Sequence, residues 1–168
     1  SNRKVLNPHD MAEIGRRVRA LSSGKKLEAA RELGNFAASS TVNQDTIREV
    51  GGVKPLVALL REGTPKQREE AAYALGNVAA SHAVNGGAIR EAGGVAPLVA
   101  LVRDGTPKQR EEAALALGNM VGSSALTQNS IRVAGGLEPL VALLVSGTPR
   151  QQQWGTYALG HLAINNAG

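Results

Sequence analysis

The chain has 168 residues, 42% of them apolar but only 2% aromatic, with no cysteine and a formal net charge of +5. So few large side chains suit a set of units that each bury a small face against a neighbour better than one globular core. There is no disulfide framework, no run of about 18 apolar residues to span a membrane, and no block of basic charge, since stretches such as REEAA and IREVGG mix the signs.

Residues 1–9 are polar, show no signal peptide, and read as a flexible N-terminus. Residues 10–168 form a single repeat domain, whose units are 10–40 (partial), 41–81, 82–123 and 124–168 (truncated). The spacing is about 42 residues, as between Asn35, Asn77, Asn119 and His161 or between Gly51, Gly93 and Gly135. In the first unit, Ile14, Val18 and Leu21 keep an apolar edge while Arg16, Arg17 and Arg19 occupy positions usually filled by leucine. One polar face suits the end of a repeat array.

Unit 41–81 predicts three helices separated by glycine. The first carries QDTIREV and ends at Gly51-Gly52, where glycine takes the left-handed conformation freely. Asn43, Asn85 and Thr127 are expected N-caps, with Val42/Ile47, Val84/Ile89 and Leu126/Ile131 as hydrophobic staples around them. Gly86-Gly87 reads as a flexible start to its short helix. The second helix spans about residues 53–62, with Pro55 in its first turn and Val53, Leu56, Val57 and Leu60 on its buried side.

The third helix follows at once. Thr64, Pro65 and Gln67 make a proline-bearing capping box, repeated at Thr106–Gln109 and Thr148–Gln151. So short a connection makes the second and third helices antiparallel. At about 100° per residue, Ala71, Ala72, Val78 and Ala79 cluster around Leu75, and Lys66, Glu70, Tyr73 and Asn77 form a stripe opposite. In the last unit Leu159, Leu162, Ala163 and Ile164 are expected to face water. The residues after them begin a further repeat, so the chain reads as part of a longer array. A second copy of the chain, forming a homodimer, is the expected cover for this end.

These residues resemble the armadillo repeat. A short helix ends in Gly-Gly, then comes V-x-P-L-V-x-L-L, then E-A-A-x-A-L-x-N, at Gly51–Leu60 with Glu70–Asn77 and at Gly93–Val102 with Glu112–Asn119. HEAT repeats are similar but have two helices per unit and lack the Gly-Gly. The resemblance implies an all-α, right-handed α-solenoid with three helices per repeat. It also implies a concave groove, lined by the third helices, that holds an extended peptide. The family's peptide-binding asparagine maps to Asn35, Asn77 and Asn119, with His161 in the fourth unit. Its groove tryptophan maps to Arg31, Tyr73, Leu115 and Tyr157, none of which is tryptophan. The acidic position maps to Glu28, Glu70 and Glu112, with Trp154 last.

Repeated amides can donate to and accept from an extended backbone whatever its sequence. A file of carboxylates favours Lys or Arg on the ligand. The expected function is thus a non-catalytic scaffold for a basic, extended peptide segment, in the cytoplasm or nucleus. Other readings are that the asparagines only tie helices together, that Trp154 shields the end of the array, that the basic N-terminal unit binds nucleic acid, or that the chain only self-associates. His9, His82 and His161 are scattered, so no metal site or cofactor is expected. Ser22–Lys26 lacks the first glycine of a phosphate loop, and no Ser/His/Asp set is placed, so no catalysis is expected.

Overall fold

A computed structural model of the chain describes residues 8–164. The helices are α1 (Pro8–Ala20), α2 (Lys26–Ser39), α3 (Thr41–Glu49), α4 (Val53–Glu62), α5 (Pro65–Val78), α6 (Ala83–Glu91), α7 (Val95–Asp104), α8 (Pro107–Val121), α9 (Ala125–Val133), α10 (Leu137–Ser146) and α11 (Pro149–Ile164). The described residues contain no strand. Of the N-terminus expected to be flexible, residues 1–7 lie outside the described residues, while Pro8 and His9 open α1. The residues expected to begin a further repeat also lie outside them.

The double glycine that ends each first helix divides its labour. Gly51, Gly93 and Gly135 have φ of 81°, 79° and 75°. The following glycine donates its N–H back to Ile47, Ile89 or Ile131, and the positive-φ glycine donates to Arg48, Arg90 or Arg132. This pair of bonds is a Schellman closure. The second glycine is needed for a different reason: a Cβ at Gly94 would lie 2.7 Å from Ile89 Cγ2 and 3.2 Å from Val57 Cγ2 of the preceding unit. Thr64 with Gln67 and Thr106 with Gln109 form complete capping boxes, as expected. Gln109 Nε2 and Gln151 Nε2 also donate to the carbonyls of Pro65 and Pro107 at 2.7 Å, so these capping residues join successive units.

The expected first-helix caps are wrong by one turn. Ser40, His82 and Ser124 are the N-cap residues. Asn43, Asn85 and Thr127 lie inside the helices at 8%, 0% and 0% exposure. Asn43 Nδ2 donates to Phe36 O and Asn85 Nδ2 to Val78 O, so these amides fasten the first helix to the preceding third helix. Val42, Val84 and Leu126 therefore sit in the first turn rather than before it, and Val84 and Leu126 are exposed, so no staple forms. Gly86 is helical, not a flexible start. A Cβ there would come within 3.0 Å of Ser123, so it permits close approach of α6 to the end of α8.

Asn85 also belongs to a junction between units. Its Nδ2 donates to Asp45 Oδ1 (3.1 Å), its Oδ1 accepts from Arg48 Nε (2.8 Å), and His82 Nδ1 lies 2.9 Å from Asp45. Burial works against the Asp45 carboxylate, but hydrogen bonds to His82 and Asn85, with the charges of His82 and Arg48, hold its pKa below the ordinary value. A depressed carboxylate pKa adds stability above the unfolded-state pKa, and that stability is lost as pH falls through the folded one. Asp45→Asn is expected to lower the urea midpoint at pH 7 and to flatten its fall below about pH 4. Coincident midpoint-versus-pH curves for the two proteins would show that the junction contributes nothing.

Helix pairs α4/α5, α7/α8 and α10/α11 are hairpins, and α2, α5, α8 and α11 pack successively side by side. The core is small-residue rich: Ala71, Ala72, Ala74, Ala113, Ala114 and Ala116 are all inaccessible. Leu162 is buried as well, against the expectation that it faces water, because it packs into this core. Leu159 is half-buried against the same core, whereas Ala163 and Ile164 are exposed as expected, and α10 adds a further apolar face at that end. Val53, Val57 and Leu60 are 5%, 1% and 2% exposed, whereas their counterparts Leu137, Val141 and Leu144 are 41%, 48% and 37% exposed. In the earlier units this surface is covered by the next unit's Gly-Gly corner.

Candidate functional site

The four third helices turn one face each to a common side. In sequence order that face carries Glu28, Glu70, Glu112 and Trp154, then Arg31, Tyr73, Leu115 and Tyr157, then Asn35, Asn77, Asn119 and His161. Glycines inside the helices set the spacing between them. A Cβ on Gly34 would lie 2.4 Å from Tyr73 Cδ1, one on Gly76 2.2 Å from Leu115 Cδ2, and one on Gly118 3.3 Å from Tyr157 Cδ1. Each second-row side chain thus lies over a bare patch of the preceding helix. Sequence reasoning passed over these glycines. Their signal is a residue that costs about 1 kcal/mol inside a helix, kept at one position in every unit.

The asparagines differ from one another. Asn35 is exposed, and its Oδ1 accepts from the Tyr73 hydroxyl at 3.3 Å. Asn77 Nδ2 donates to Tyr73 O on its own helix (3.0 Å). Asn119 Nδ2 donates across to Gly76 O on α5 (2.9 Å), so this one does tie neighbouring helices. Each amide nitrogen has a second hydrogen and each amide oxygen two lone pairs, so a ladder of backbone contacts remains chemically open.

The acidic row is not the open stripe expected from helical angle. Glu28 is exposed, but Glu70 and Glu112 are only 8% and 4% exposed, because α5 and α8 are each flanked by helices on both sides. Glu70 Oε1 accepts from Arg31 Nε at 3.1 Å and lies 3.7 Å from Lys66 Nζ. Lys108 Nζ sits 2.7 Å from both Glu111 and Glu112. Lys66 pairs likewise with Glu69, and Arg150 Nε lies 3.3 Å from Glu111. Hydrogen bonds to Glu111 and Glu112 hold the Lys108 ammonium above its ordinary pKa against the effect of burial. Glu112 Oε2 is buried with no hydrogen-bond partner.

At α11 the chemistry changes. Trp154 and Tyr157 rings stand edge to face at 5.9 Å and 86°, and Tyr157 and His161 at 4.7 Å and 66°. At the other end two cations of the basic unit are already paired, while Arg19, Lys25 and Lys26 are exposed. Arg16 pairs with Glu13, and Arg17 with Glu13 and Glu32, its guanidinium 4.8 Å from the Phe36 ring centroid. Among the described residues no group of three or more His, Asp or Glu could hold a metal ion. Likewise, no helix there is long and apolar enough to cross a membrane.

The armadillo/β-catenin-like repeat model matches residues 40–80, one whole unit from α3 through α5. An engineered protein of known crystal structure superposes with a TM-score of 0.84 at 34% identity, over 90% of this chain and 62% of the other. A designed armadillo repeat protein in complex with the peptide (KR)4 gives 0.81 at 27% identity, over 89% and 64%. Residues 40–80 are an armadillo repeat, and the array as a whole has the armadillo-repeat fold. Its helices form the right-handed α-solenoid of armadillo repeats, three helices to a repeat. A HEAT-like repeat model also matches, at residues 65–120, taking the third helix of one armadillo unit with most of the next. The armadillo-repeats-only protein of Plasmodium falciparum shares the fold at 18% identity, with a TM-score of 0.83 over 95% of this chain and 77% of its own. The armadillo array here spans just under two thirds of the length of the first two structures. No curated protein sequence matches it significantly.

Proposed function

We propose that the array is a non-catalytic scaffold that binds an extended, basic peptide segment along the face of α2, α5, α8 and α11. The observation that carries this reading is the row of amides repeated once per unit on that face, each with unused hydrogen-bonding capacity. The designed armadillo protein in complex with (KR)4 supports it, since the two chains share the fold and 27% of their residues. Asn35, Asn77 and Asn119 grip the ligand backbone, with His161 continuing the row. Glu28, Glu70 and Glu112 select Lys or Arg side chains, and Tyr73 walls the groove between them. Glu70 and Glu112 already hold the chain's own cations, so a ligand cation enters by exchange with Arg31 and Lys66 at Glu70 or with Lys108 at Glu112. Fluorescence anisotropy with matched basic and acidic peptides tests the reading.

A second reading concerns the α10 end. Leu137, Val141 and Leu144 form an exposed apolar face where the earlier units are covered, and Val145 beside them is exposed as well. The first unit offers arginines at its own end, so like faces meeting in a two-fold dimer is the better pairing. Light scattering across a dilution series is expected to show a dimer that Val141→Glu with Leu144→Glu dissolves. A monomer at high micromolar concentration contradicts it.

A further inference from the structure

The groove does not carry one chemistry along its length. In the second and third units the acidic row is carboxylate, with a lysine on the same helix beside it. In the fourth, the same row is Trp154, the next is Tyr157, and the amide row is His161. We infer that this end of the groove is a neutral aromatic subsite, which receives an aromatic or large aliphatic side chain of the ligand whose basic residues lie against α2, α5 and α8. The inference rests on the peptide-binding reading above and specifies the ligand further.

Three observations support it. First, the rings pack back against α8 rather than on the apolar face at the end of the array. Trp154 Cε3 and Tyr157 Cδ1 approach Gly118 of α8 at 3.1 and 3.3 Å from where its Cβ would be, while the exposed apolar face at the array's end belongs to α10. That contact favours a place in the groove wall over a cover for the end. Second, Tyr157 remains 47% exposed although Trp154 and His161 pack on either side of it. Near-perpendicular rings leave an open ring face beside a ring edge. An incoming aromatic ring can stack on the one and meet the other edge-on. Third, the local charge is already balanced. Arg150, one turn before Trp154, is paired with Glu111. A ligand cation here would find ring faces but no carboxylate from α11, whereas a neutral ring keeps its full burial gain.

The chain has a single tryptophan, so Trp154 emission reports this subsite directly. Eight-residue peptides of alternating Lys and Arg would be compared with versions carrying Phe-Phe or Ala-Ala at either end. One of the two Phe-ended peptides is expected to bind about 10-fold more tightly than its Ala-ended counterpart. Saturation with it should shift and quench the Trp154 emission. Trp154→Ala should bring the ratio of the two affinities close to one. Tyr157→Ala, at a more exposed position, is expected to do the same if the tryptophan variant folds poorly by circular dichroism. Two results overturn the subsite while leaving the groove standing: equal binding of Phe- and Ala-ended peptides, or tightest binding of the all-basic peptide with unchanged Trp154 emission. If none of the peptides binds, the groove reading fails and the subsite with it.

Discussion

Asn85→Ala is expected to destabilise the protein by about 3 kcal/mol, more than any exposed cap would. The amide is fully buried and satisfied at both ends: it donates to Val78 O and Asp45 and accepts from Arg48. Alanine leaves the Val78 carbonyl and the Arg48 Nε without these partners, each at about 1–3 kcal/mol. Loss of an N-cap side chain costs about 1 kcal/mol. Urea denaturation therefore distinguishes a strut between helices from a cap. A loss at or below the cap value would show that water or a shift of α6 replaces the bonds.

The second large effect is on binding, and it has two signs. Glu28→Gln, Glu70→Gln and Glu112→Gln together are expected to weaken a basic peptide by at least ~100-fold, since hydrogen bonds to charged groups are worth about 1.5–3 kcal/mol each. Lys66→Met with Lys108→Met should act the other way and strengthen it by about 10-fold. The reason is the exchange step: Lys108 occupies Glu112, and Lys66 shares Glu70 with Arg31, so removing the two ammoniums takes away a competitor at each carboxylate. Anisotropy titrations read both. An unchanged affinity in the lysine variants would mean that the ligand does not use Glu112, since only Arg31 still competes, and only at Glu70. The internal pairs would then be structural.

Periodicity made the architecture legible. The constant spacing, the Gly-Gly corners and the Thr-Pro-x-Gln boxes located the second helix and the start of the third in the last three units, because turns and caps depend on local residues. The first-helix caps were misplaced because Asn43 and Asn85 satisfy the local rule for a cap equally well. What decides is a carbonyl seven residues earlier on another helix, which is a tertiary contact. The groove row was found, but its exposure was misjudged. A helical wheel divides a helix into one wet side and one dry side, whereas α5 and α8 are covered on two flanks, leaving Glu70 and Glu112 nearly enclosed. The pairing of Lys108 with Glu112 was implicit in its i,i+4 spacing. The reach of Arg31 to Glu70 was not, since it crosses between units.

The most direct measurement on the central claim is a titration of matched basic and acidic peptides into the parent chain and into Asn77→Ala/Asn119→Ala, at physiological salt. Because Asn119 also bonds to Gly76 O, the double variant is expected to lose about 1 kcal/mol of stability, so binding is read only where circular dichroism shows both proteins folded. The account expects the basic peptide to bind the parent chain more tightly than the acidic one despite the net charge of +5. It also expects the double variant to bind the basic peptide roughly 10-fold or more weakly. A preference for the acidic peptide, or a folded double variant with undiminished affinity, would contradict it.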